Sequence, residues 1–244
     1  MAPNVVDCFA GADQPRIINT FEHLLPYLTT EEFAVVGGLA IRYYVAGQGR
    51  SYPSRPFNDL DIIIQRQHTL DSQVIEHFKI AHFHKTAQEY YFAIVDPDTR
   101  IKVDIFQWPS ADVRTNNVPL GTHQIPLQSV ENQLAKTILD TTKVLDGGVV
   151  DPKQFSDALL LQPVAEPNKT SAIFSQLYGQ RLPVLPTATA ALEAAQAAVQ
   201  QHPELVKEKP FHKPKPYRCT ECVNDPQYPL TPLTEIQKLL GYLE

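Results

Sequence analysis

Little in this chain points to a secreted, membrane-spanning or nucleic-acid-coating protein. Its three cysteines leave one over if the other two pair, which does not make a disulfide framework. No stretch approaches the roughly 18 consecutive apolar residues that a membrane-crossing helix needs. The 43% hydrophobic content still suffices for a real core. The opening residues, MAPNVVDCFAGADQP, lack a basic region followed by an apolar one, so no secretory signal is evident. A cytoplasmic protein without membrane association is therefore expected. Positive charge is scarce too: 21 Lys and Arg stand against 27 Asp and Glu, a net −6. That balance argues against an extended nucleic-acid footprint, while a nucleotide needs only local positive charge. No internal repeat is visible, and the 244 residues allow one domain with appendages or two small ones.

The most informative stretch runs from Phe33 to Gln65. A short apolar run, Phe33 to Val36, meets Gly37-Gly38, and a helix-compatible segment follows from Leu39 to Ala46. After a polar loop, a second apolar run carries Asp59 and Asp61 at its head. Alternation along an extended chain puts those two carboxylates on one side and Leu60, Ile62 and Ile64 on the other. Adjacent carboxylates repel unless a cation sits between them, and a hard divalent ion such as magnesium suits oxygen ligands and leaves positions for phosphate oxygens. Two more β-type runs surround Asp96-Pro97-Asp98-Thr99, a turn-rich tetrapeptide. In the second run Ile101, Val103 and Ile105 alternate with Lys102, Asp104 and Phe106, so Asp104 is a third acid on a polar strand face. The diglycine lets backbone N–H groups at a helix N-terminus approach phosphate oxygens.

Gly-Gly, then a strand-borne Asp-x-Asp, then a later strand-borne Asp resembles the DNA polymerase β-type nucleotidyltransferase superfamily. Gly37-Gly38-Leu39-Ala40 followed by Arg55-x-x-x-Asp59-Leu60-Asp61 is most similar to its AbiEii-type branch, over roughly residues 30 to 160. The resemblance implies an α/β (α+β) fold: a nucleotidyltransferase-type mixed sheet with flanking helices over residues 1–128, a helical region over 129–201, and a Pro-rich segment with a terminal helix over 202–244. It implies Asp59, Asp61 and Asp104 as catalytic acids and ligands of Mg2+ or Mn2+. Gly37 and Gly38 would cradle the triphosphate, and Arg55 would orient the carboxylates or meet the γ-phosphate. Lys136 matches a lysine on the corresponding helix. The implied activity is transfer of a nucleoside monophosphate from an NTP to an acceptor hydroxyl, the acceptor being a small molecule, a protein or a tRNA end. Arg-Asp-x-x-Asp, common in the family, reads Lys153-Gln154-Phe155-Ser156-Asp157 here, so only the last Asp is kept. The alternative is a catalytically weak or inactive binding module, such as a toxin–antitoxin-like component.

Elsewhere, Ile17, Ile18, Phe21, Leu24, Leu25 and Leu28 give helical spacing over 14–30, with Pro26 expected to kink or shorten the far end. His23 reads there as a surface or half-buried residue. Leu70, Val74 and Phe78 fit one helix face after Gln65, and His82 and His84 share a face if their segment is extended. Residues 108–128 read as connector with one short strand. Ser129 is a candidate N-cap, and Lys136 and Lys143 share a helix face. Asp151-Pro152 opens another helix, and Thr187–Gln201 has high helix propensity. Seven prolines fall between Pro203 and Pro232, with Cys219-x-x-Cys222 among them, followed by a helix bearing Leu233, Ile236, Leu240 and Leu243. The cysteine pair has the spacing of half a tetrahedral Zn2+ site, with His212 the favoured third ligand and His202, Cys8 or the His82/His84 pair as alternatives.

Overall fold

The structure is a computed structural model that describes residues 4–28, 33–53, 57–65, 71–85, 90–107, 115–208 and 228–243. The chain divides into two compact units, one of residues 1–43, 52–128 and 213–244, the other of 44–51 and 129–212. Among the described residues no helix is long and apolar enough to cross a membrane.

The first unit is built on a seven-stranded mixed sheet with helices against it. Helix α1 (Asp13–Leu24) precedes β1 (Phe33–Val36), and α2 (Gly37–Ala46) follows β1 without a break. Then come β2 (Asp59–Ile64), β3 (Lys79–Lys85), β4 (Tyr90–Val95), β5 (Lys102–Gln107), β6 (Thr115–Leu120) and β7 (His123–Gln128). Their order across the sheet is β3-β4-β5-β2-β1-β7-β6. β2 lies at its centre, antiparallel to β1 and parallel to β5. Leu60, Ile62 and Ile64 are sealed from solvent, as are Val103 and Ile105 beside them. Each such side chain contributes about 1.5–3 kcal/mol of transfer free energy. This stripe fixes the register, because a one-residue slip would turn it to the opposite face.

Helix α1 is tied to the β4–β5 turn. The Thr20 and Thr99 hydroxyls lie 2.6 Å apart, and Arg16 Nε donates to the Thr99 carbonyl at 2.9 Å. The α-helix stops at Leu24 and tightens into a 3-10 turn, Leu25–Tyr27, where Pro26 lacks the N–H that an α-helix would use. The unit also contains the terminal helix α7, described below. The helix expected around Leu70–Phe78 is corrected: of its described part, Ser72–Glu76 is one 3-10 segment, capped by the Asp71 carboxylate on Gln73 N–H at 2.8 Å. The chain then enters β3, where Ile80 and Phe83 gain partners on β4 that a helix would forgo. Residues 115–128 are corrected as well. They form a full hairpin, β6–β7, turning at Gly121 with φ +57°. Pro119 and Pro126 masked it in the sequence; Pro119 lies on β6, an edge strand, where a missing N–H is tolerated.

The second unit is helical: α3 (Val130–Thr141), α4 (Pro152–Leu161), α5 (Pro167–Tyr178) and α6 (Ala188–Gln201). Ser129 caps α3 by accepting Asn132 N–H at 3.3 Å, and Asp151 caps α4 through Lys153 N–H at 2.9 Å. Helix α6 buries Leu192 together with Ala188, Ala191 and Ala195, whose small side chains let it pack closely. In the first unit α7 (Leu233–Leu239) seats Ile236 in the interior, and the Thr231 N–H donates to the Ile80 carbonyl of β3 at 3.0 Å.

On α3 the Asp140 carboxylate takes Lys136 Nζ on one oxygen and Lys143 Nζ on the other, each at 2.7 Å. Burial pushes the Asp140 pKa up, but the two ammonium groups outweigh it and the net shift is downward from 3.8. A depressed folded-state pKa gives stability that is present above the unfolded value and lost as pH falls through the folded one. Urea unfolding of Asp140→Asn should therefore show lower stability than the parent at neutral pH, with the two curves converging below about pH 3.8. Parallel curves across that range would remove the paired-carboxylate account.

Candidate functional site

The site is laid down by the β2–β5 ladder. The parallel register pairs Asp59 with Lys102 and Asp61 with Asp104. Partners in adjacent strands project to the same side, about 4.8 Å apart along the hydrogen-bonding direction. All four charged side chains therefore share one face at the head of the two central strands. Asp59 is exposed, Asp61 is half-buried and Asp104 is buried. Ala93 on β4 opposes Asp104, and Tyr91, two residues away, reaches across to donate its hydroxyl to Asp104 Oδ1 at 2.7 Å.

Lys102 completes the group: its Nζ lies 2.5 Å from Asp104 Oδ2. Burial opposes its charge, but Asp104, Asp59 and Asp61 together outweigh burial and raise its pKa. The Tyr91 phenol is pushed up by burial first and then by Asp104, so it stays a hydrogen-bond donor. Sequence alternation had put Lys102 on this face without giving it a role. The signal was its position two residues before Asp104, opposite Asp59.

The diglycine divides into two different positions. Gly37 has φ +66°, and a Cβ built on it would run into the Asp61 carboxylate. A Cβ on Gly38 meets nothing within 4 Å. Thus Gly37 lets the chain turn from β1 into α2 against Asp61, and Gly38 leaves the start of the helix uncovered.

The other expected site residues belong to the helical unit or lie outside the described residues. Lys136 lies in the helical unit, 44% exposed and paired with Asp140. Asp157, retained from the expected Arg-Asp-x-x-Asp pattern, is buried on α4 in that same unit. Arg55, His212, Cys219 and Cys222 lie outside the described residues. Of the alternative zinc donors, His202 is exposed beside Glu204 at 3.1 Å. Burial pushes the Cys8 thiol up to about 11, with the Asp7 charge adding to it. His82 and His84 do sit on an extended strand, β3, with the His82 ring 5.2 Å from that of Tyr91.

A second constellation was not foreseen. His23 on α1, His77 just before β3, and Asp96 and Asp98 in the β4–β5 turn each offer a ligand atom, all within 4.8 Å of one another. His23 Nδ1 is 2.8 Å from Asp96 Oδ2. Asp96 is wholly buried, and its Oδ1 accepts the N–H groups of Asp98 and Thr99 at 3.0 and 3.4 Å. Burial raises the Asp96 pKa, but the His23 and backbone hydrogen bonds outweigh it and the net shift is downward. The tetrapeptide 96–99 read as a turn, which it is. Nothing local in the sequence joined it to His23 and His77.

No family model matches this chain, and no curated protein matches it. Among solved structures, similarity is found to an antigenic nucleotidyltransferase-like protein from Paracoccidioides brasiliensis, at 16% identity and TM-score 0.43, covering 79% of this chain and 90% of that one. The chain is also similar to JHP933 from Helicobacter pylori, at 13% identity and TM-score 0.40, covering 79% and 92%. At such values neither likeness bears on activity.

The two glycines should respond oppositely to a methyl group. Gly37→Ala forces a left-handed backbone costing about 1–2 kcal/mol and a collision with Asp61 in addition, so its melting temperature should fall by several degrees. Gly38→Ala should leave stability unchanged or raise it by up to about 1 kcal/mol, since alanine is the better helix former. Equal melting temperatures for the two variants would contradict this division.

Proposed function

We propose that the chain is a metal-dependent nucleotidyltransferase that moves a nucleoside monophosphate from an NTP to an acceptor hydroxyl, releasing pyrophosphate. The observation that carries this reading is the pairing of Asp61 with Asp104 on parallel central strands, with Asp59 on the same face and Gly37 packed on Asp61. Assignment to the DNA polymerase β-type superfamily, and within it to the AbiEii-type branch, rests on the sequence motif Gly37-Gly38-Leu39-Ala40 with Asp59-Leu60-Asp61.

The donor set fits a hard divalent cation: it is all oxygen, and it has already drawn the Lys102 ammonium onto Asp104. An ionised carboxylate has about four lone-pair sites, so Asp104 keeps acceptor capacity beyond Tyr91 and Lys102. Asp59, Asp61 and Asp104 would hold Mg2+ or Mn2+, which when bound neutralises phosphate charge and lowers the pKa of an attacking hydroxyl. The start of α2 at Gly38, with no side chain in the way, suits phosphate oxygens. Tyr91 and Lys102 fix the Asp104 carboxylate, which would help to receive the proton of the acceptor hydroxyl. Arg55 and Lys136 remain candidates for phosphate contacts.

Calorimetry of the full chain with each NTP, with and without Mg2+, followed by pyrophosphate release, tests the reading. Binding should require the metal. Asp61→Asn should abolish binding and transfer while melting at an equal or higher temperature, because it relieves like-charge repulsion. Undiminished Mg2+–NTP binding in that variant would overturn the ligand assignment, whereas binding by the parent without turnover would favour the non-catalytic module.

Lys102 offers a separate check. Lys102→Met removes the cation that competes within the cluster, so affinity for Mg2+ alone should rise several-fold. Its melting temperature in EDTA should fall, since buried Asp104 loses its ion-pair partner, and added Mg2+ should restore it. A variant with unchanged metal affinity would show that Lys102 does not share the cation position.

A further inference from the structure

We propose that His23, His77, Asp96 and Asp98 form a second metal site, for a first-row transition ion of the zinc class, separate from the acid face. Four donors converge there from three segments: α1, the turn into β3, and the β4–β5 turn. Besides the 2.8 Å pair of His23 and Asp96, His77 Nε2 lies 3.5 Å from Asp96 Oδ1 and 3.9 Å from Asp98 Oδ2. Ligands around a tetrahedral ion with bonds of about 2.0–2.1 Å stand roughly 3.3 Å apart, so only small movements are needed.

His77 is the residue that points to a ligand. Its Nε2 is buried and has no hydrogen-bond partner among the described residues, although it is aimed into the group. A buried polar atom left unmatched is costly, and an ion among these donors would satisfy it. The two imidazole rings lie with centroids 4.3 Å apart, an arrangement that holds both in place before an ion arrives. Asp96 is anchored by two backbone N–H groups, the kind of outer support that orients a ligand carboxylate. Asp98, 66% exposed on its side chain, provides the route in from solvent.

Two imidazole nitrogens select this ion class over magnesium, which prefers an all-oxygen set. The site is also distinct in space. Asp96 is one residue beyond Val95, the register partner of Lys102, and alternation turns its side chain away from the Lys102 face and toward α1. The ion would therefore staple α1 to the sheet from the face opposite Asp59, Asp61 and Asp104.

The test is zinc titration and metal analysis of full-length protein purified without a histidine tag. The parent is compared with His77→Ala, Asp98→Asn, Asp61→Asn and Cys219→Ser/Cys222→Ser. One equivalent of zinc should be lost or weakened about tenfold or more in His77→Ala and weakened in Asp98→Asn, whose exposed side chain leaves the fold intact. That equivalent should persist in the other two variants and raise the melting temperature by several degrees, an effect that Mg2+ does not reproduce. A parent that binds no zinc, or a His77→Ala variant that binds it as the parent does, would overturn the proposal.

Discussion

The parallel pairing of β2 with β5 is the constraint on which the rest of the first unit depends. One ladder joins Leu60, Ile62 and Ile64 to Val103 and Ile105 in the interior and joins Asp59 and Asp61 to Lys102 and Asp104 on the other side. The two outcomes cannot be separated. Burial of the apolar stripe sets the register, and the register in turn sets which charges meet. Carboxylate repulsion on the polar side is a cost that this burial outweighs, and Lys102 and Tyr91 reduce it. The position of the acid cluster is thus set by core packing, while Lys102 and Tyr91 stabilise the buried Asp104 within it.

What could be read from the sequence follows from the range of each interaction. Asp59-x-Asp61, Gly37-Gly38 and the Ile101-to-Phe106 alternation are local patterns, and they located the central strands and their polar side. The caps at Ser129 and Asp151 are local too, as is the alanine-rich α6. The β6–β7 hairpin was obscured because Pro119 and Pro126 are strand breakers in general; Pro119 is acceptable because β6 is an edge, and edge status is a property of the whole sheet. The segment expected as a helix around Val74 and Phe78 is held to one 3-10 stretch, Ser72–Glu76, because β3 begins at Lys79, only three residues on. The His23–His77–Asp96–Asp98 group was illegible because its members touch only after α1 docks on the β4–β5 turn.

The two faces of this sheet therefore carry different coordination chemistry. One offers carboxylates and an ammonium; the other offers imidazoles and carboxylates. An ion taken up on the first competes with Lys102, so its affinity is set by internal charge compensation as much as by ligand count. On the second, no Lys or Arg ion pair to Asp96 or Asp98 is found among the described residues. His23 holds Asp96 through a hydrogen bond that an ion would replace, while His77 Nε2 makes no hydrogen bond among the described residues. Affinity on that side is governed by how little the donors must move.

The roles of Gly37 and Gly38 follow from the same economy of space. β1 enters α2 with no intervening loop, so the first helical residue must reverse the chain directly beside β2, where Asp61 is the register partner of Val36. Only a residue without Cβ fits between the turn and that carboxylate. The left-handed turn at Gly37 thus holds the helix start against Asp61, so whatever oxygen-rich ligand meets the carboxylates also meets the open backbone at Gly38. Position 37 is required by the fold, whereas position 38 is free in folding terms. A side chain absent where the fold would tolerate one is the feature of this segment that packing alone does not explain, and the phosphate approach proposed for the first turn of α2 would account for it.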